Sequence, residues 1–219
     1  VYNYSVRASV AAGDGPASTI DSGWRAVPPP ANVTASDGAF SDKVRVTWSP
    51  AVGATGYKVL RAEGSATPTV IATLGSLLSH DDTSAAVGVT YSYFVRAVSA
   101  QGEGPLSAAD TGWRAPAPPP SLFASDGTFS DRVQLIWSAS GGAGATYKVL
   151  RAIGGGTPTV IGTSSTGFFD DLTTVAGVVY NYSVRASVAA GDGPASTIDS
   201  GWRAVPPPAN VTASDGAFS

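Results

Sequence analysis

The chain has 219 residues, 43% of them hydrophobic and only 13% charged, with a net charge of −3 and no cysteine. This composition excludes a disordered chain, a basic footprint for nucleic acid or anionic lipid, and every disulfide, thiolate-nucleophile or thiolate-metal device. No run approaches the 18 apolar residues of a membrane-crossing helix, and no signal-peptide pattern opens the chain.

Internal identity organises what remains. Residues Val1–Ser41 are the same, letter for letter, as Val179–Ser219, an offset of 178. Inside that period Trp24, Trp113 and Trp202 are spaced by 89 residues, as are Trp48 and Trp137. The spacing predicts a tandem array with a period of two 89-residue units. Residues 1–27 read as the closing hairpin of a preceding unit, 28–116 and 117–205 as full units, and 206–219 as the first strand of a following one. Val1 falls inside an apolar strand pattern, so the chain is expected to open within a unit. An 89-residue unit can bury one small core and fold alone with modest stability.

In chain order, each full unit reads as short strands with turn signals every 8–12 residues. Residues 32–36 are the first strand, after a proline run. Residues 43–49 alternate, with Val44, Val46 and Trp48 on one face. Residues 57–62 turn Tyr57 and Val59 inward. Residues 68–73 are β-branched and begin with Pro68, as an edge strand tolerates. A short strand covers 76–81. The long strand 90–99 sets Tyr91, Tyr93, Val95 and Ala97 against Ser92, Phe94 and Arg96. Residues 105–114 close the unit as one strand. The second unit repeats the pattern, and no segment carries a 3.6-residue period.

A proline-led first strand, a second strand ending in Trp48, Tyr57 opening the third, Tyr91 early in the sixth, and a following GEGPLS or GDGPAS turn form a recognisable set. The chain resembles the fibronectin type III module over its whole length. The resemblance implies an all-β fold of tandem seven-stranded sandwiches joined by Pro-rich linkers. It also implies that Tyr91 and Tyr180 form the tyrosine corner, a hydroxyl bonded to nearby backbone. Ala85 and Thr174 stand where that corner usually has leucine. The adhesion tripeptide Arg-Gly-Asp is absent from the AAGDGPAS loop.

Shared residues outside the core single out a candidate inter-domain junction. SDGxFSD recurs with Phe40 and Phe129, and GWRA recurs with Trp24, Trp113 and Trp202. A proline run follows each Trp: Pro28, Pro29, Pro30; Pro118, Pro119, Pro120; Pro206, Pro207, Pro208. In this topology the first turn and the end of the last strand share a pole, so Phe40 is expected beside Trp113 and Phe129 beside Trp202. The prolines hold the linker near the stiff polyproline II form. Each Trp-Pro-Pro junction is expected to be a packed plug that sets a fixed angle between units, received by the Gly102–Pro105 and Gly191–Pro194 turns at the opposite pole. The competing expectation is that each Trp only closes its own sandwich.

Reaction chemistry finds no foothold. The Asp81-Asp82 and Asp170-Asp171 pairs lack calcium-loop spacing and read as turn residues that satisfy backbone groups. His80, the only histidine, is replaced by Phe169 in the second unit. Gly154–Gly156 lies between two strands and is no phosphate cradle. Arg61, Arg96, Arg151 and Arg185 read as surface pairing residues. Phe94 and one of Phe168 or Phe169 should face outward, as sugar platforms or inter-chain contacts. Asn32, Asn181 and Asn210 head sequons that permit N-glycosylation. No enzyme activity, cofactor or metal is expected. The expected partners are further copies of the repeat, in the same chain and in neighbouring chains, without nucleic acid or membrane insertion. The reading is a structural component of an extracellular or cell-surface fibre, filament or stalk. The alternatives are an adhesin for a glycan or protein ligand, and a spacer in a large secreted glycan-degrading enzyme.

Overall fold

The computed structural model describes residues 1–142 and 144–212. The described chain is all-strand and divides into two compact units. The first comprises Val1–Asp37, Lys43–Ala85 and Thr90–Gly112; the second comprises Gly38–Asp42, Ala86–Val89 and Trp113–Ser219.

The chain opens with β1 (Tyr2–Tyr4), β2 (Arg7–Val10), β3 (Gly13–Ala17) and β4 (Asp21–Gly23). Here β1 pairs with β4, and β2 with β3. There follow β5 (Thr34–Ala35), β6 (Val44–Thr47), β7 (Gly56–Glu63), β8 (Thr69–Leu74), β9 (Ser79–Asp82), β10 (Thr90–Ser99), β11 (Gly102–Leu106) and β12 (Asp110–Trp113). One sheet runs β5-β6-β9; the other runs β11-β10-β7-β8, with β12 also on β10. Alternation puts Val44, Val46, Val59, Tyr93, Val95 and Ala97 in the interior, all fully buried. Trp48 stands 5.5 Å from Tyr57, ring centre to ring centre.

The second unit repeats this plan with β13 (Phe123–Ala124), β14 (Val133–Ile136), β15 (Thr146–Ile153), β16 (Thr159–Ser164), β17 (Phe168–Asp171), β18 (Val179–Val188), β19 (Gly191–Ala195) and β20 (Asp199–Trp202). Its sheets run β13-β14-β17 and β16-β15-β18-β19, with β20 on β18. Val133, Leu135, Trp137, Tyr147, Val149, Tyr182 and Val184 fill the core between them.

The closing strand differs from the sequence expectation. Residues 105–114 are not one strand: β11 ends at Leu106, and β12 starts at Asp110. Ser107 is the cause. Its N–H donates to the Val95 carbonyl at 2.9 Å, while its Oγ accepts the Val95 N–H at 3.0 Å. A side chain thus enters the ladder; the β10–β11 register shift between Arg96 and Val98 is a separate bulge, in which Gly104 and Pro105, the latter without an N–H, oppose Ala97. Ser196 does the same to Val184. Of the strand expected over 206–219, residues 213–219 lie outside the described residues, and no strand is present through 212.

Candidate functional site

Three tryptophans at the ends of closing strands lie on turn glycines. Within the second unit, a methyl group added at Gly38 would stand 2.3 Å from the Trp113 indole, and one at Gly191 would stand 2.7 Å from it. Two tight turns therefore press on one ring. The Trp202 indole covers Gly127 in the same way, at 2.3 Å. Within the first unit, a methyl added at Gly102 would stand 3.7 Å from the Trp24 indole, an ordinary contact. Gly38 and Gly127 have φ of +62° and +61°, a conformation costly for other residues. Their glycine serves both the turn and the ring's approach.

Backbone bonds fix this contact. The Gly38 N–H donates to the Trp113 carbonyl at 2.9 Å, and the Ala115 N–H to the Phe40 carbonyl at 2.9 Å. The matching bonds run from Gly127 to Trp202 and from Ala204 to Phe129, both 2.8 Å. Phe40 and Phe129 are thus tied to the Trp segments through their carbonyls. The Phe129 ring itself lies under the Arg132 guanidinium, 4.3 Å away. Gly102 and Gly191 lie in the turns expected to receive an indole; Gly38 and Gly127, beneath Trp113 and Trp202, were passed over by the sequence reading although SDG recurs in both copies.

The proline runs are unequal in burial. Pro30 and Pro119 are buried, Pro119 completely, whereas Pro28, Pro29, Pro118, Pro120 and Pro206–Pro208 are exposed. The buried Val27 and Pro116, each three residues past its Trp, also take part. A methyl at Gly104 would stand 2.3 Å from the Val27 carbonyl oxygen, and one at Gly193 would stand 2.5 Å from that of Pro116. The sequence reading missed both residues, because Val and Pro at that position share no side-chain chemistry; what the turn meets is the carbonyl.

Tyr180 Oη accepts the Val175 N–H at 3.1 Å, and Tyr91 is buried beneath Arg61. Asn181 Nδ2 donates to the Gly154 carbonyl at 2.7 Å, and Asn32 Nδ2 donates to Ser49 Oγ at 3.0 Å. Asn32 and Asn210 both sit at positive φ.

The aspartate pairs split into two roles. Asp81 faces outward and accepts from Arg45 and Lys43, which hold its carboxyl far below the usual range. Asp82 and Asp171 are buried. Asp171 Oδ2 accepts from Arg151 at 2.7 Å and from Tyr182 Oη at 3.0 Å, while Oδ1 accepts from the Thr173 N–H and hydroxyl. Arg61, Tyr93 and Ser84 do the same for Asp82. Each Asp thus satisfies a turn amide, as expected, and is also the hub of a buried network that sequence reasoning did not find. The arginines placed on the surface by that reading, Arg61 and Arg151, are its cations; the signal was an Arg, two residues of Asp and a Tyr recurring in both copies.

Burial acts to raise the Asp82 and Asp171 carboxyls, but the hydrogen bonds from Ser84 or Thr173, the Arg and the Tyr outweigh it and hold both below their ordinary value. Burial and the neighbouring carboxylate push the Tyr93 and Tyr182 phenols well up. A carboxyl with a depressed folded value stabilises fully above its unfolded value of about 4, and that contribution is lost as pH falls through the folded value. A phenol with a raised value stabilises fully below about 10 and loses that contribution as pH rises through the folded value. Thermal unfolding across pH should therefore show a plateau from about pH 5 to 9, an acid arm below 4 and an alkaline arm above 10. In Asp171→Asn the acid arm of the affected unit should flatten; an unchanged slope below pH 4 would remove Asp171 from the linkage.

Among the described residues, no three His, Asp or Glu side chains are grouped to hold a metal ion. No helix of the described residues is long and apolar enough to cross a membrane.

No family model and no curated protein matches the chain. Solved structures do. The chain is similar to a two-domain fibronectin type III segment of chicken tenascin, at TM-score 0.56 and 17% identity, over 78% of this chain and 97% of that one. A Fn3-like protein from Clostridium thermocellum is 31% identical over 41% of this chain and 95% of its own, at TM-score 0.38. The FN1-FN3 domains of chicken CNTN1 match at 19% identity and TM-score 0.38, over 90% of this chain and 76% of that one. The tenascin likeness and the two-sheet topology agree.

Proposed function

This chain is a tandem of fibronectin type III-fold domains, and from that premise we propose that it is a structural component of an extracellular fibre, filament or surface stalk, acting as a mechanical scaffold or spacer. The observation that carries the reading is the Trp113 indole wedged between two turn glycines, Gly38 and Gly191. Tandem domains move freely by default unless their contact is large and apolar. The half-buried Trp113 indole and a buried proline, Pro116 or Pro119, oppose that freedom, and the proline run adds a stiff connection. In an array, stability then sums over sandwiches and junctions. Low charge and identity at a 178-residue offset suit a repeating material more than a recognition surface.

The test is mechanical. The chain has no cysteine, so Ser65→Cys and Ser165→Cys give two exposed labelling sites. The distance distribution between spin labels there should be narrow in the parent chain and should broaden in Trp113→Ala. An equal width in both would sink the junction and with it the scaffold reading.

A further inference from the structure

The outer face of the β13-β14-β17 sheet carries an apolar row that the matching sheet of the first unit lacks. Phe123 pairs with Ile136, and Ile136 with Phe168, in direct cross-strand register. Residues directly opposite in register share a face, and Val133 and Leu135 take the inner one. Phe123, Ile136 and Phe168 are 55%, 46% and 43% exposed. In the first unit the same register positions hold Thr34, Thr47 and Ser79. There the Thr34 and Thr47 hydroxyls bond each other at 2.7 Å. One fold thus presents a polar row in one copy and an apolar row in the next. The core does not require the apolar row, since Thr34, Thr47 and Ser79 occupy the same places.

From this we infer that the Phe123–Ile136–Phe168 row is a lateral docking surface for the same row of a second copy of this chain. The inference rests on the array reading above. Its self-complementarity comes from charge and area. The rim beside the row carries both signs: Arg132 bonds Asp131 at 3.1 Å and stands 3.6 Å from Asp170. A two-fold contact presents the same patch to itself, so each copy's Arg132 meets the other's acids. A branched Ile136 between the two rings interrupts the flat platform that suits a sugar face and leaves an aliphatic row suited to another apolar row. The three side chains expose roughly 300 Å² between them, given about 200 Å² for a large apolar residue. A stable pair buries about 800 Å² per partner. One row therefore supports only a weak, reversible pair. In an array the row returns once every 178 residues, and many weak pairs held in register give strong lateral association. Alternation sets the valency: one sandwich in two is adhesive.

The first unit supplies the control. Phe123→Thr, Ile136→Thr and Phe168→Ser together convert the row to residues that the fold already accommodates. Sedimentation equilibrium of the 219-residue chain, taken to about 1 mM, should show reversible dimerisation with Kd on the order of 1 mM. The triple variant should lose it while keeping its thermal transition. Under mild oxidation Ile136→Cys should form disulfide-linked dimers at least about tenfold faster than Thr47→Cys, as expected if the former row has a partner worth about 1.4 kcal/mol or more. Equal rates, or dimerisation that survives in the triple variant, overturn the inference. So does a monomer whose Phe123 and Phe168 resonances shift on adding a soluble cello- or chito-oligosaccharide, which would give the row to a glycan. The label-distance measurement on Trp113→Ala is made on single chains, so its outcome is independent, and lateral docking can fail while the stiff array stands.

Discussion

Replacing Asp171 with Ala is expected to lower the stability of its sandwich by about 3–5 kcal/mol, the cost of removing one partner of a buried pair. Asp171 is a buried carboxylate that accepts from Arg151, Tyr182 and both donor groups of Thr173. Without it, the Tyr182 hydroxyl is left in the core with no acceptor, and a buried unsatisfied group costs about 1–3 kcal/mol by itself. Arg151 is partly exposed and can turn toward water, which places the total nearer the lower end. A unit of this size loses roughly 4–8 °C per kcal/mol, so its melting temperature should fall by about 12 °C or more. Asp82→Ala should act alike on the first unit, through Arg61, Tyr93 and Ser84. Scanning calorimetry of each single variant is the check: a fall below about 4 °C in both would show that the networks contribute under about 1 kcal/mol. By contrast, Asp81→Ala should cost less, about 1 kcal/mol, because its pairs with Lys43 and Arg45 sit at the surface and water reaches Asp81 once they are lost.

Gly127→Ala should cost about 2–5 kcal/mol. A left-handed backbone costs a non-glycine residue about 1–2 kcal/mol. The added methyl would stand 2.3 Å from the Trp202 ring, so the indole must shift, and overpacking of this kind costs about 1–3 kcal/mol more. Gly154 separates the two contributions. Its φ is +56°, close to that of Gly127, yet a methyl there meets nothing within 4 Å. Gly154→Ala therefore measures the backbone cost alone. The difference between the two variants, read from urea midpoints at constant slope, isolates the indole contact. Equal costs would mean that Trp202 does not rest on the turn. Gly38→Ala should repeat the result at Trp113, with Gly64→Ala, at φ +55° and equally open, as its control.

Much of the fold was legible because it rests on local pattern. The alternation of Val44, Val46 and Trp48, and of Tyr91, Tyr93, Val95 and Ala97, dictates the buried faces, and these residues are buried. The site was legible in part. Recurrence outside the core picked out Trp24, Trp113, Trp202 and the Gly191–Pro194 turn. It did not pick out Gly38 and Gly127 as the floor beneath the rings, because a glycine offers no side chain to read. Nor did it pick out the Asp171–Arg151–Tyr182 network. Charged residues on alternating strands look like surface until their strands are paired, and only the β14–β17 and β15–β18 registers bring them to one point.

The decapeptide VYNYSVRASV occurs twice and separates the two kinds of information. At 179–188 it is one ten-residue strand, with β15 along one side and β19 and β20 along the other. There Tyr180 is 3% and Val184 0% exposed. At 1–10 the same letters form two short strands paired only with β3 and β4, and Tyr2 is 63% and Val6 74% exposed. The bond from the Val184 N–H to Ser196 Oγ recurs as that from Val6 to Ser18, both 3.0 Å. The sequence by itself determines strand propensity, which residues form the apolar face, and this local hairpin bond, since all three act within or between adjacent segments. Tertiary structure decides continuity and burial, because a sheet face leaves water only when a second sheet, drawn from distant residues, covers it.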